Sequence, residues 1–485
     1  MASIFVPVCV SVAVITITCL KKFNGWRYEC GLSSKKPLPP GDMGWPLLGN
    51  MLSFLIAFKF NRPNSFVSAF VSRFGRTGLY KPFMFGSPTI LATTPETCKQ
   101  VLMDDAHFVP GWPVSTVQLM GRKSFVALSH EDHDRLRKLT APSINGHEAL
   151  SNYLGWIEQR VVSAYEDWAN QDRIVLLNEL KKVTFDIISY IFLSYESKTG
   201  TKLASLEREY TSLNMGIRAM AINLPGTAYH KALKARKNLV AILQSVTEER
   251  RSSPDPQAKS NKDVLNALLH VKDENGSLLT DEEIIDLLVM YLNAGHESSA
   301  HITMWAIIFL VSHPRLYAEA KAEQEKIVNK RPDGQTHLIM YEIREMNYLR
   351  KIIDESLRMV NISLMVFREA MDDVEINGYT IPKGWKTQVW LRSVHMDPQV
   401  YPNPTKFDPD RWDKLIPKSG MFIPFGAGSR LCPGSDLAKM EICVFIHHLL
   451  FHYKIERLNP DCPVRYLPHP RPTDYCKGRV RKLST

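Results

Sequence analysis

A chain of 485 residues carrying a formal charge of +10 is long enough for about three domains at the usual size, or for one large body. Its 60 basic and 50 acidic residues are interleaved, with no aromatic-studded basic patch, which excludes a nucleic-acid surface. Eight cysteines, at positions 9, 19, 30, 98, 432, 443, 462 and 476, form no Cys-x-x-Cys pair and no disulfide framework, which points to a reducing compartment and away from structural zinc.

In chain order, residues 1–20 are uncharged and rich in Val, Ile and Phe, about the length of a bilayer span. Lys21, Lys22 and Arg27 follow, so the amino terminus is expected in the lumen and the body in the cytosol. Met1-Ala2-Ser3 lacks a basic leader and no small-residue cleavage site is evident, so an uncleaved anchor is expected. Residues 21–50 form a basic, proline-rich linker, stiffened from Pro37 to Gly41 and through Pro46, that orients a single body over 51–485. Leu79 to Leu91 predicts two short strands joined at Gly86-Ser87-Pro88, and Val374 to Ile381 a hairpin turning at Asn377-Gly378. Pro142, Pro225 and Pro314 predict helix boundaries, and Ser252 to Lys262 an exposed loop. Asp281 to Ser312 predicts one long apolar helix. The fold class is mainly α with a small β-rich lobe. Val117, Leu119, Met120 and Phe125, then Met215, Ile217 and Met220, then Tyr291, Leu292, Leu364 and Met365, are expected to line an apolar cavity that methionine makes adaptable.

The densest chemistry lies in Phe425-Gly426-Ala427-Gly428-Ser429-Arg430-Leu431-Cys432-Pro433-Gly434. One cysteine sits in a glycine-broken loop with an arginine two residues before it. The turn is expected to aim N–H groups at the sulfur and lower its pKa, an arrangement that holds haem iron by a thiolate. Upstream, Glu355-Ser356-Leu357-Arg358 places an acid and a base one helical turn apart, and Phe407-Asp408-Pro409-Asp410-Arg411-Trp412 supplies a further arginine. Ala294-Gly295-His296-Glu297-Ser298 interrupts the long helix with a glycine, then an acid and a hydroxyl.

Taken together, in this order, these motifs resemble the cytochrome P450 superfamily. The resemblance implies its fold, haem b with Cys432 as the iron ligand, and Phe425 and Gly428 shaping the ligand loop. It implies a lock of Glu355, Arg358 and Arg411 beneath that loop. Gly295 is expected to clear space for dioxygen, and Glu297 and Ser298 to relay protons, with serine where the family commonly has threonine. Arg430, Arg137 and Arg368 are expected on the haem propionates, with His133 replacing the family's tryptophan as a hydrogen-bond donor. Electrons would come from NADPH through a membrane-bound reductase, an acidic partner steered by Arg135, Lys138 and Lys439.

Gly111-Trp112-Pro113, Gly121 to Phe125, Asn145 to Leu150, Asn293 to Ser299, and Leu467-Pro468-His469 with Arg471 to Asp474 resemble the plant ent-kaurenoic acid oxidases. That similarity implies an endoplasmic-reticulum enzyme oxidising a polycyclic terpenoid acid stepwise toward gibberellin precursors. Met359 to Val366 departs from that pattern, so an oxidase of triterpenoids, limonoid types included, is the alternative. A reductase-independent haem-thiolate isomerase would not need Glu297 and Ser298. A carboxylate substrate would call for a cation such as Arg218 or Arg471.

Overall fold

The computed structural model describes residues 16, 18–32, 36–195, 201–217, 219–252, 262–467 and 469–483. The expected anchor falls almost wholly outside them, as do Arg218 and residues 253–261 of the expected loop. Among the described residues, no helix is long and apolar enough to cross a membrane.

Six helices position the site: α1 (His130–Asn145), α2 (Leu176–Leu193), α3 (Thr201–Ile217), α4 (Asp281–Val311), α5 (Asn347–Val360) and α6 (Ser435–His452). The central one is α4, whose 31 residues span about 46 Å at 1.5 Å per residue. Its start is a reciprocal cap. The Thr280 hydroxyl accepts from Glu283 N, and the Glu283 carboxylate accepts from Thr280 N at 2.8 Å. It stops at Ser312, and Pro314 opens the next helix, as its sequence position predicts. Pro142 differs from expectation because it lies inside α1. It sits in the final turn, where few hydrogen bonds remain to be broken, and its own carbonyl accepts from Gly146 N at 3.1 Å. Both faces of α4 are buried, against α2 on one side and α5 and α6 on the other, in a core that includes Leu288, Leu292, Ile307, Ile353 and Phe445.

The strand-rich lobe is a six-stranded sheet. It takes β1 (Leu79–Tyr80), β2 (Phe83–Met84), β3 (Ser87–Ala92), β4 (Phe108–Pro110), β5 (Val366–Ala370) and, after the hairpin, β8 (Lys386–Val389) in the order β1-β3-β8-β5-β4, with β2 paired to β3. Only β3 and β8 pair in parallel. The turn between β2 and β3 falls at Phe85-Gly86, both at positive φ, so Ser87 and Pro88 already belong to the strand. The hairpin β6 (Val374–Ile376) and β7 (Tyr379–Ile381) turns at Asn377-Gly378 with φ of 51° and 78°, the left-handed pair a two-residue loop needs. Its role for the site is indirect: β5 carries Arg368, and β4 brings Pro110 beside it.

Candidate active site

The ligand loop is shaped by what its glycines permit. Gly426 and Gly428 hold φ of 80° and 74°, and a Cβ on Gly428 would collide with the Leu102 carbonyl, so that position accepts only glycine. One turn of 3-10 helix over Gly428–Arg430 follows, Cys432 N donates to Phe425 O at 3.0 Å, and α6 begins three residues past the cysteine. The sulfur is therefore delivered at a helix amino terminus. Burial nevertheless pushes the Cys432 thiol up, outweighing a backbone bond with Gly434 and the charge of Arg137, both of which pull it down. The expectation that the loop alone favours thiolate is corrected: desolvation exceeds both effects, and ionisation awaits a metal cation.

Three arginines gather beside this loop. Arg430 gives Nη2 to Leu128 O at 3.0 Å, while its buried Nε has no partner. Arg368, 6% exposed, bonds only to the adjacent Phe367 carbonyl, and burial with repulsion from Arg430 pushes it down to about 10. Arg137 lines the same cavity of about 150 Å³, together with Trp112, Phe125, His133 and Phe425. Among the described residues none of the three arginines has a carboxylate within the 4.0 Å of an ion pair. A buried cation without a counter-ion, such as Arg368, is costly, and with the half-buried Arg137 and Arg430 beside it the cluster fits a group bearing two or more negative charges, as haem propionates do. His133 is buried, and desolvation followed by the charge of Arg430 lowers its pKa, which keeps the ring neutral and able to donate.

Beneath the loop the expected lock is formed. Glu355 accepts from Arg358 Nε at 2.9 Å and Nη2 at 2.8 Å, and from Arg411 Nε at 2.9 Å. Glu355 and Arg358 are fully buried. The remaining donors go to the carbonyls of His395, Pro402 and Lys406. With every member bonded, the triad ties α5 to the segment leading into the loop.

Across from the loop runs α4. The phenol of Tyr291 lies within electrostatic reach of both Cys432 and Arg137. One turn on, Ala294 is exposed, and the half-buried Ser298 donates its hydroxyl to Ala294 O at 2.8 Å. Gly295 serves a different contact from the one expected. A Cβ there would stand 2.8 Å from Ile188 Cδ1, so the glycine lets α2 pack closely on α4, and the side-chain space it clears is filled by Ile188. Glu297 is 7% exposed and paired with Lys181 Nζ on α2 at 2.7 Å, on a face lined also by His296 and His301.

The residues expected to line an apolar cavity disperse. Phe125 and Tyr291 meet with rings 5.8 Å apart near His133, and Tyr291 bonds to Thr140 at 2.9 Å. Leu119, Met120 and Leu292 are core, with Ile217 packed against it and Val117 half-buried. Met215 and Met220 are 63% and 78% exposed, because the end of α3 and the segment after it lie at the surface. Leu364 and Met365 join a separate aromatic cluster with Phe54, Phe66 and Trp390. The steering cations are largely neutralised: Arg135 is held by Glu283, and Lys439 by Asp354 at 2.7 Å, leaving Lys138, 72% exposed, beside Glu274. Arg471 bonds to the carbonyls of Leu467 and His469.

Sequence reasoning missed two groups. Lys181 stands 116 residues from Glu297 and carries no signal of its own. Glu441 on α6 was detectable as a lone acid in the apolar run Met440 to Phe445. It is 1% exposed, its Oε2 has no partner, and Ser299, next to Ser298, contacts it. Burial pushes its carboxyl up to about 8.

The family model for cytochrome P450 matches residues 39–471. Over 464 residues the chain is 56% identical to ent-kaurenoic acid oxidase 1 of Arabidopsis thaliana, covering 95% of this chain and 94% of that one. It is 48% identical to the 7,8-epoxymelianol synthase CYP88A154 of Ailanthus altissima, over 99% and 97% of the two chains. Among solved structures, the retinoic acid bound cyanobacterial CYP120A1 superposes with a TM-score of 0.81 at 27% identity, covering 93% of this chain and 100% of that one.

Proposed function

The chain belongs to the cytochrome P450 family and is a monooxygenase of it, and from that premise we propose that it oxidises a polycyclic terpenoid acid, ent-kaurenoic acid in successive steps toward gibberellin precursors. The observation that carries the substrate assignment is 56% identity, nearly end to end, with an ent-kaurenoic acid oxidase. Each turnover consumes dioxygen, two electrons and two protons, places one oxygen atom in the substrate and releases the other as water. A reductase oxidising NADPH supplies the electrons. Residues 1–20 tether the body to the endoplasmic reticulum, where reductase and substrate are both at hand.

When bound, haem supplies the activation of dioxygen. The protein's part is to hold and aim it. Cys432 would hold the iron through its sulfur; Arg137, Arg368 and Arg430, with neutral His133, would take the propionates, and Phe425 and Gly428 set the loop. Ser298, poised over Ala294, hands on protons. Once released from the Ala294 carbonyl, that hydroxyl would be free to donate to another acceptor. Glu297, clasped by Lys181, would take a proton from solvent on the α2 side and return it to that hydroxyl. Phe125 and Tyr291, with rings 5.8 Å apart, would help wall the space on the Cys432 side.

A second assignment, oxidation of a triterpenoid, draws support from 48% identity over 99% of the chain to an epoxymelianol synthase. Microsomes containing the chain and a plant reductase, fed ent-kaurenoic acid and melianol with NADPH, discriminate the two by mass spectrometry of the products. Stepwise oxidation of the diterpenoid is expected. Turnover of melianol alone would overturn the assignment, and haem binding with no oxygen-dependent product from either would reject terpenoid oxidation.

A further inference from the structure

A second cavity, of about 390 Å³, opens between the carboxy-terminal half of α4, the end of α5, the segment from Asn61 to Ser65, and Val464, Tyr466 and Pro470. It shares no lining residue with the cavity beside Cys432. Asn61, Asn64, Ser65 and Thr405 make one wall polar, while the other is aromatic and apolar, with Trp305, Phe309, Met359, Val360 and Tyr466; Trp305 is fixed by a 2.7 Å bond from its indole N–H to Pro470 O. Arg392 stands in this wall, 5% exposed, with its guanidinium over the Tyr466 ring at 5.1 Å. Nε donates to Asn64 Oδ1 at 2.7 Å and Nη1 to Met359 O at 3.3 Å, while no described group accepts from Nη2. A second cation, Arg62, lies at the rim. No acidic residue lines the cavity, and neither arginine makes an ion pair among the described residues.

A buried guanidinium facing a cavity with no acidic lining is unfavourable unless a ligand brings the negative charge. Burial lowers the Arg392 pKa, which is the same cost seen from the proton's side. The planar fork suits a carboxylate, whereas the aromatic and methionine wall suits a hydrocarbon body, and the volume falls in the ordinary range for small-molecule sites. We propose that this cavity is a second, non-catalytic binding site for an apolar monocarboxylic acid, held by Arg392 with its hydrocarbon body against Trp305, Phe309 and Tyr466. The inference goes beyond the assigned reaction and does not depend on which terpenoid is oxidised. Two sources carry this chemistry, a diterpenoid acid and a free fatty acid.

The test uses haem-loaded full chain with an azole inhibitor occupying the catalytic site, and equilibrium dialysis of labelled ent-kaurenoic acid, labelled palmitate and their methyl esters. One acid is expected to bind per chain with the azole present, at least about tenfold more tightly than its ester; the tighter of the two acids identifies the source. Arg392→Gln should lose that preference by about the same factor. Because Arg392 also braces Asn64 and Met359, Val464→Phe, which leaves the arginine intact and fills the cavity, should abolish binding of both acids. Equal binding of acid and ester, binding unchanged in both variants, or complete displacement by the azole would each overturn the proposal.

Discussion

Glu441→Gln should make the protein more stable, and increasingly so as pH rises. The glutamate is fully enclosed between α4 and α6 with one oxygen unpartnered, and its carboxyl is pushed from 4.5 to about 8. A folded-state pKa raised in this way contributes stability that is fully present below 4.5 and is lost as pH climbs toward 8, since the unfolded chain ionises first. Each pH unit in that window removes up to about 1.4 kcal/mol. The loss is about 3 kcal/mol at neutrality and reaches a ceiling of about 5 kcal/mol above pH 8. Glutamine keeps an acceptor for Ser299 and cannot ionise. Thermal midpoints of haem-loaded parent and variant, followed by circular dichroism at about pH 5, 7 and 8.5 and constant ionic strength, isolate the term by difference. Similar midpoints at the lowest pH and a gap widening by several degrees at the highest are expected. Parallel curves, with the variant lower throughout, would refute the reasoning and make Glu441 an ionised structural acid.

Glu355→Gln removes the charge that two buried arginines share, and should cost about 3–5 kcal/mol; the purified fraction retaining a haem Soret band is expected to fall sharply, and normal loading would show the lock dispensable. Gly295→Ala forces a Cβ to within 2.8 Å of Ile188, an overpacking worth about 1–3 kcal/mol that Ile188→Ala should relieve. If the double variant recovers its thermal midpoint yet stays slow in turnover, the glycine serves dioxygen after all. Ser298→Ala should keep haem and the ferrous carbon monoxide spectrum while diverting NADPH oxidation to peroxide, and unchanged coupling would exclude the hydroxyl from proton delivery.

What the sequence made legible follows the range of the interactions. The hairpin at Asn377-Gly378, the capped start of the 281–311 helix and the glycine-shaped ligand loop are local: dihedral preferences and neighbouring side chains decide them. The lock of Glu355, Arg358 and Arg411 was legible because its helical pair is one turn apart and the third member sits in a distinctive motif. The cavity lining was not. Met215 and Leu364 look alike as apolar residues, yet one ends in solvent and the other in an aromatic cluster, because helix placement in space decides their surroundings. The same holds for Gly295, whose neighbour Ile188 lies 107 positions earlier, and for the Lys181 partner of Glu297. Thiol ionisation at Cys432 failed for another reason: motif reasoning counted favourable charges but not the desolvation that opposes them.

Burial at Cys432 acts on the reactivity of its sulfur as well as on its charge. A neutral sulfhydryl is a poor nucleophile and reacts slowly with peroxide or with a second thiol. The burial that a metal cation must offset at Cys432 therefore also slows attack by that sulfur on peroxides and disulfides.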